Sequence, residues 1–162
     1  MDITTLLSPE RIACELDVSS KKRAFEKLAK MLASAQDALD METVFEALIN
    51  REKLGSTALG NGIAIPHACL SIAQPCGALL LLEEGVKMDA PDKKPVQLFM
   101  AILVPASKVP DFSPLITELT SFLSQKFLPE HLRDIHEPSA ILDYLNTHFL
   151  PAEQCYRTAL AA

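Results

Sequence analysis

Cationic side chains, two hydroxyls, a glycine-rich turn and one histidine follow one another within a short stretch of the sequence. Arg51 stands at the end of a helical pattern, and Ser56 and Thr57 follow it in a loop. The loop continues into Gly60-Asn61-Gly62, where glycines let backbone N–H groups approach an anion closely. A short apolar run then ends in His67. Positive charge, hydrogen-bond donors and an imidazole are the groups that a phosphoryl-transfer site needs.

His67 is the candidate nucleophile of this stretch. Histidine titrates near neutral pH, so part of its population is neutral and able to attack phosphorus. The preceding proline fixes its own φ angle and gives the imidazole a stiff support. Arg51 offers a forked contact to phosphate oxygens, and Ser56 and Thr57 offer hydroxyl donors. One interpretation of the stretch is therefore a site in which His67 accepts the phosphoryl group and Arg51, Ser56 and Thr57 bind phosphate.

The same residues also have simpler interpretations. A single histidine near a strand end is more often a structural or surface residue. Arg51 suits a helix C-terminus, where a cation complements the helix dipole, and the glycines are explained by turns. No G-x-x-x-x-G-K-[ST] sequence is present, so ATP hydrolysis of the P-loop kind has little support. Spacing alone leaves both interpretations open.

The elements that must position this stretch follow the pattern of an α/β fold. Two long, continuously apolar runs, 77–82 and 96–104, are typical of strands covered on both faces. Shorter strands are predicted over 11–18 and 63–69, the latter interrupted by Pro66. Apolar spacing predicts helices over 21–35, over 41–53 and over 129–135, the second of them with Asp40 as its N-cap. A further helix is predicted to begin after Ser113 as its cap, with Pro114 at its first position. The last helix is predicted to begin near Pro138.

Length and composition favour one ordinary globular domain. The chain has 162 residues and a formal net charge of −6. It has no basic block with interleaved aromatics, so nucleic-acid binding is not predicted. No apolar run approaches the ~20 residues that span a bilayer, and no secretory signal is readable. We expect a cytoplasmic protein with its domain over 1–150 and a loose tail over 151–162.

Other reactive residues receive structural interpretations. The four cysteines form no C-x-x-C pair, so neither a zinc knuckle nor a redox pair is predicted. Cys69 lies two residues after His67; a Cys-His nucleophile is conceivable there, but a small buried thiol is the preferred interpretation. His131 and His136 are badly spaced for a metal on one helix face. Asp89 and Asp92 suit turns around prolines better than catalysis. Neither metal nor cofactor is predicted.

Two long motifs resemble those of a known family. Arg51-Glu52-Lys53-x-Gly55-Ser56-Thr57, followed by the run from Gly60 to the Pro-His pair, is similar to the active-site signature of the mannitol/fructose-type enzyme IIA family of the bacterial phosphotransferase system. The nitrogen-regulatory branch of that family is the nearest. A second similar block is Asp89-Ala90-Pro91-Asp92-x-x-Pro95-Val96, and residues 20–24 are similar as well. The likeness extends over residues 1–148.

The resemblance implies a fold, a reaction and partners. The fold is a single α/β domain with a mixed sheet and helices on both faces. The phosphoryl acceptor is the histidine of the Pro-His motif, here His67, with Arg51 beside its pocket. The donor is a histidine-containing phosphocarrier protein. In the nitrogen-regulatory branch the protein regulates target proteins according to its phosphorylation state, whereas sugar-specific members pass the group to an enzyme IIB.

The sequence departs from the family pattern at two places. Members commonly follow the histidine with Gly and a basic residue, where this chain has Ala68 and Cys69. Many members also carry a second histidine before the third long helix, where Phe112 or Pro114 stands here. Two alternatives to a phosphoryl-accepting regulator therefore stay open. They are a binding protein that keeps the fold without turnover, and a sugar-specific subunit.

Overall fold

The computed structural model describes residues 3–15 and 17–149 as one six-stranded sheet with α-helices against both of its faces. The predicted C-terminal tail and Cys155 lie outside the described residues. The helices are α1 Lys21–Ala33, α2 Met41–Lys53, α3 Val109–Leu123, α4 Leu128–Ile135 and α5 Pro138–His148. The strands are β1 Ile12–Glu15, β2 Ala58–Gly60, β3 Ile63–Ala64, β4 His67–Leu70, β5 Cys76–Val86 and β6 Val96–Pro105.

The sheet is mixed, as the resemblance implied. Its order is β1-β5-β6-β3-β2, with β4 also paired to β6. The central pair, β5 and β6, is antiparallel, while β1 runs parallel to β5 and both β3 and β4 run parallel to β6. Among the described helices, none has the length and apolar character to cross a bilayer.

The predicted strand over 63–69 consists of two segments along the same side of β6. Ile63 pairs with Leu98, and His67 pairs with Ile102 four positions further along. Pro66 breaks the strand because it has no N–H to donate, but its carbonyl still accepts a hydrogen bond from the Ile102 N–H at 2.9 Å. The interruption therefore places His67 at the start of a new strand segment without detaching it from the sheet.

Burial on both faces explains why β5 and β6 are continuously apolar. Successive side chains of a strand point to opposite faces, and here each face meets helices. The face toward α1 and α2 includes Leu80, Leu82, Phe99 and Leu103, and the face toward α3, α4 and α5 includes Leu79, Leu81, Met100 and Ile102.

Local sequence signals explain where α1 and α2 begin. The Asp40 carboxylate accepts a hydrogen bond from the Thr43 N–H at 2.9 Å, so the predicted N-cap of α2 is confirmed. Ser20 caps α1 in the same way through the Arg23 N–H. The cap at Asp40 fixes the start of α2, and the helix ends where the sequence predicts, in the Arg51-to-Lys53 turn that faces the candidate site.

The predicted start of α3 is wrong by one turn. The helix begins at Val109, with Pro110 in its first turn, where a missing N–H has no cost. Ser113 is not the cap: its hydroxyl donates back to the Val109 carbonyl at 3.1 Å, inside the helix. Pro114 also lies inside the helix. Either proline suits the first turn of a helix, and it is Pro110 rather than the predicted Pro114 that lies there.

Candidate functional site

A cavity of about 590 Å³ lies between the C-terminal half of α2, strand β4 and the N-terminal half of α3. Arg51 and His67, the two central residues of the sequence prediction, both line it. Its walls are mostly apolar, and two of the apolar residues at its edge, Leu54 and Val109, are exposed. The lining of the cavity therefore contains an imidazole and a guanidinium beside an apolar surface that is open to solvent.

His67 is half-buried at the first position of β4. Its Nδ1 atom lies 2.8 Å from the carbonyl oxygen of Ile65. A carbonyl oxygen only accepts hydrogen bonds, so the contact favours the tautomer with the proton on Nδ1. In that tautomer Nε2 carries the free lone pair. The backbone thus selects Nε2 as the nucleophilic atom of the ring.

Arg51 is positioned by the end of α2 and by the loop that follows it. Its Nη1 donates to the carbonyl oxygen of Gly55 at 2.9 Å. A guanidinium has five N–H donors, so this bond leaves several for an anion in the cavity. The Gly55 contact holds the side chain in place, which lowers the entropy that the side chain would lose on binding an anion.

Ser56 and Thr57, the two predicted hydroxyl ligands, do not line the cavity. Ser56 is exposed, and its Oγ accepts a hydrogen bond from the Ala58 N–H at 3.2 Å. Thr57 is buried, and its hydroxyl donates to the Glu52 carboxylate at 2.7 Å. These contacts give both residues a role in shaping the loop and give no support to direct phosphate binding.

Cys69 is exposed, which corrects the expectation of a small buried thiol. It lies in β4, whose only strand partner within the described part of the sheet is β6. Side chains two positions apart on a strand share a face, and Cys69 lines the same cavity as His67. A thiol therefore occupies the place where family members commonly have a basic side chain.

Two helix faces that the sequence did not predict also line the cavity. On α2, Ala47 and Asn50 line the cavity with Arg51, at the spacing that shares one helix face. That spacing was readable and marks these residues once Arg51 is chosen. On α3, the lining residues are Val109, Ser113, Ile116 and Thr117.

Neither residue that stands near the place of the family's second histidine reaches the cavity. Phe112 is buried in the core, and Pro114 is exposed outside the cavity lining. Ser113, between them, does line it. An exposed serine on α3 therefore lines the cavity between these two positions.

Asp92 has the structural role predicted for it. Its carboxylate accepts hydrogen bonds from the Asn61 N–H at 2.8 Å and the Lys94 N–H at 3.1 Å. These bonds, with that from Asn61 first, lower the pKa of Asp92. Gly60 has φ +97°, and an added Cβ would lie 3.4 Å from the Asp92 carboxylate. Asp92 therefore ties the second motif to the glycine turn of the first.

No ligand set for a metal is assembled among the described residues, where no three His, Cys, Asp or Glu side chains converge.

Comparison with known proteins identifies relatives over nearly the whole chain. Residues 5–148 match the family model described as "Phosphoenolpyruvate-dependent sugar phosphotransferase system, EIIA 2". A "Nitrogen regulatory protein" of Pseudomonas aeruginosa is 38% identical over 137 residues, which cover 84% of this chain and 89% of that protein. A "PTS system fructose-specific EIIA component" of Haloferax volcanii is 32% identical over 145 residues, covering 89% and 94% of the two chains.

A solved structure matches the fold closely. The nitrogen regulatory protein IIA-Ntr of Neisseria meningitidis superimposes with a TM-score of 0.76 at 34% sequence identity, covering 91% of this chain and 99% of that chain.

Proposed function

The chain belongs to the EIIA 2 family of the phosphoenolpyruvate-dependent sugar phosphotransferase system, and on that premise we propose that it accepts a phosphoryl group on His67. The donor is a phosphocarrier protein that carries the group on its own histidine. The observation that supports this most is the hydrogen bond between His67 Nδ1 and the Ile65 carbonyl. It leaves Nε2 as the nucleophile in a cavity that also contains Arg51.

The transfer balances with the groups present. The Nε2 lone pair of His67 forms the new N–P bond while the N–P bond of the donor breaks, and its electron pair returns to the donor's imidazole. The Nδ1 proton stays on His67, still donated to the Ile65 carbonyl. Arg51 donates to the phosphoryl oxygens as their negative charge enters the cavity, which is the main form of stabilisation in phosphoryl transfer.

We further propose that the phosphorylated and unmodified forms bind target proteins differently. The naming of the Pseudomonas aeruginosa and Neisseria meningitidis relatives as nitrogen regulatory proteins supports a regulatory role. A phosphoryl group adds nearly two negative charges to a cavity with exposed apolar edges, at Leu54 and Val109. Such a change in surface charge is large enough to switch the affinity of a protein partner. We place this activity in the cytoplasm, together with the donor.

The test of the acceptor is incubation of the chain with enzyme I, phosphocarrier protein and phosphoenolpyruvate. We expect one acid-labile, base-stable phosphate per chain in the wild type and none in His67→Ala. His131→Ala is the matched control, because His131 is an exposed histidine on α4, outside the cavity. It should take up phosphate like the wild type.

Each other outcome has a defined meaning. If the wild type takes up no phosphate, the chain is a binding protein that keeps the fold without turnover. If His67→Ala still takes up phosphate, the acceptor is assigned to the wrong residue. If the phosphorylated chain passes its phosphate rapidly to an enzyme IIB, it is a sugar-specific subunit, as the name of the Haloferax volcanii relative suggests for that protein.

The regulatory half of the proposal has its own test. The phosphorylated chain and the His67→Ala variant are used side by side to capture binding proteins from an extract. We expect at least one protein to be captured by one form only. Identical captures would contradict regulation by phosphorylation while leaving the acceptor assignment intact.

A further inference from the structure

A continuous series of hydrogen bonds joins a buried carboxylate to the candidate acceptor. The Thr57 hydroxyl donates to Glu52 Oε2 at 2.7 Å. The Thr57 carbonyl accepts from the Ile65 N–H at 3.1 Å. The Ile65 carbonyl in turn lies 2.8 Å from Nδ1 of His67. Four residues from the end of α2, the following loop and the start of β4 are thus linked without a gap.

Glu52 is an unusual residue for its place. Its side chain is 3% exposed, and burying a carboxylate is costly unless it is well hydrogen-bonded. It also stands in the last turn of α2, where the helix dipole disfavours negative charge. Thr57 compensates with its backbone N–H, 3.3 Å from both carboxylate oxygens, and with its hydroxyl. Lys21 adds a cation 3.9 Å away.

The last group of the series before the imidazole is the carbonyl of Ile65. Ile65 is held at its N–H by the Thr57 carbonyl, and Pro66 is held at its carbonyl by the Ile102 N–H at 2.9 Å. The Ile65 carbonyl lies between these two anchors. Its direction, and therefore the direction of the bond to His67, is fixed by anchors on either side.

We propose that Glu52 is a positioning residue for the reaction at His67. By holding Thr57, it holds the backbone that keeps the His67 proton on Nδ1 and presents Nε2 to the cavity. Thr57, which the sequence suggested as a phosphate ligand, is then the second member of this support. The inference rests on the proposed function, and it goes further by assigning roles to two residues that do not touch the phosphoryl group.

Arg51 and Glu52 each hold a different part of the loop that follows α2. Arg51 faces the cavity and donates to the Gly55 carbonyl, while Glu52 faces the core and accepts from Thr57. Adjacent residues of a helix point in directions about a quarter-turn or more apart, so one pair braces the loop from two sides. A change at Glu52 therefore acts on the ring of His67 through Thr57, whereas the contact of Arg51 with Gly55 is separate from it.

The test uses the full chain with Glu52→Gln, Thr57→Val and Thr57→Ser. One readout is the tautomer of His67, from the imidazole nitrogen chemical shifts of the chain with isotopically labelled histidine. The other is the rate of phosphate uptake at several concentrations of the phosphocarrier. We expect Thr57→Val to mix the two tautomers and to slow uptake at saturating donor by about three- to tenfold, the effect of losing one hydrogen bond.

A rescue variant and a matched control distinguish an effect on the position of the His67 ring from an effect on folding. Thr57→Ser keeps the hydroxyl and should restore both readouts. Glu46→Gln, an exposed glutamate on the same helix, should leave both unchanged. Half-saturation by the donor should change little in any of these variants, because neither Glu52 nor Thr57 lines the cavity.

Several results would overturn the proposal. Folded Glu52→Gln and Thr57→Val chains with wild-type tautomer and rate would do so, and so would a slower rate with an unchanged tautomer. If neither variant folds, the wild type still decides, because a His67 proton on Nε2 would show that the series does not reach the ring. The tautomer readout needs no phosphate, so a wild type that takes up none fails the proposed function and leaves this inference to be judged separately.

Discussion

The guanidinium of Arg51 donates to the carbonyl oxygen of Gly55 at 2.9 Å, across the turn that ends α2. The contact uses one of its N–H donors and keeps the side chain at the edge of the cavity that contains His67. Arg51 is thus held by the protein without the help of a bound anion. A residue prepared in this way contributes more to binding a transferred group than a free surface cation does.

Replacement of Arg51 should therefore slow phosphate uptake by His67. Arg51→Ala removes charge-assisted hydrogen bonds and is expected to lower the uptake rate by about 10- to 100-fold. Arg51→Lys keeps the charge but loses the planar fork, so we expect about a tenfold loss. The measurement is the initial rate of phosphate incorporation from the phosphorylated donor.

Lys53→Ala is the control for Arg51, because Lys53 is an exposed cation of the same helix end that does not line the cavity. Its uptake rate should stay within about twofold of the wild type, as is usual for an exposed charge. Equal losses in Lys53→Ala and Arg51→Ala would reduce the role of Arg51 to general electrostatic attraction. Urea unfolding of Arg51→Ala checks for the separate loss of the Gly55 contact.

Cys69 offers a chemical test of access to the cavity. Burial raises the pKa of the Cys76 thiol and that of the partly buried Cys14 thiol, whereas Cys69 is exposed. The thiolate is the reactive form, so iodoacetamide should modify Cys69 before Cys14 and Cys76, in a chain carrying Cys155→Ala. Uptake of phosphate should fall in proportion to the Cys69 modified, as measured by mass spectrometry.

The Cys69→Ala chain treated with the same reagent is the matched comparison. It should keep its full uptake, because an alanine leaves nothing to alkylate beside His67. Loss of uptake in that variant would mean that another thiol controls the reaction. Full uptake by chains alkylated at Cys69 would mean that the donor does not enter through this cavity.

The sequence predicts some parts of this site well because their signals are local. The end of α2 at Lys53, the break at Pro66 and the neighbouring positions of Arg51 and His67 all follow from one uninterrupted stretch. The central strands are predicted because a strand buried on both faces has a continuous apolar run that few other elements share.

Other parts depend on contacts that no local signal reports. Glu52 and Thr57 are five positions apart, across a loop whose direction the spacing does not give, so Thr57 looked free to bind phosphate. The lining of the cavity by Ser113 depends on how α3 packs beside β4. The exposure of Cys69 depends on which strands flank β4, which is a property of the whole sheet.

Stability should depend on the ionised carboxylate of Asp92 in a definite pH range. Backbone N–H bonds from Asn61 and Lys94 lower the pKa of Asp92 in the folded chain. A carboxyl group with a lowered folded pKa stabilises the protein above its unfolded pKa, about 3.9, and loses that contribution as the pH falls through the folded value. Asp92→Asn should therefore be less stable than the wild type at neutral pH.

The difference between Asp92→Asn and the wild type should shrink as the pH falls below about 4. Urea unfolding at neutral pH and at two acidic values measures it. Asp89→Asn, at an exposed neighbouring aspartate, is the control and should differ less from the wild type at neutral pH. A deficit for Asp92→Asn that stays constant through the acidic range would contradict the role of its charge.

Phe127 is expected to lower the stability of the fold where it stands. It has φ 66° and ψ 8°, is 73% exposed, and precedes α4 without a side-chain cap. The left-handed conformation costs a residue with a side chain about 1–2 kcal/mol, and glycine avoids most of that cost. Phe127→Gly should raise the free energy of unfolding by about 1 kcal/mol and the Tm by about 3 °C. Lys126→Gly, at the adjacent exposed residue without positive φ, should be neutral or destabilising. If Phe127→Gly instead lowers the Tm, the aromatic ring contributes packing that outweighs its backbone strain.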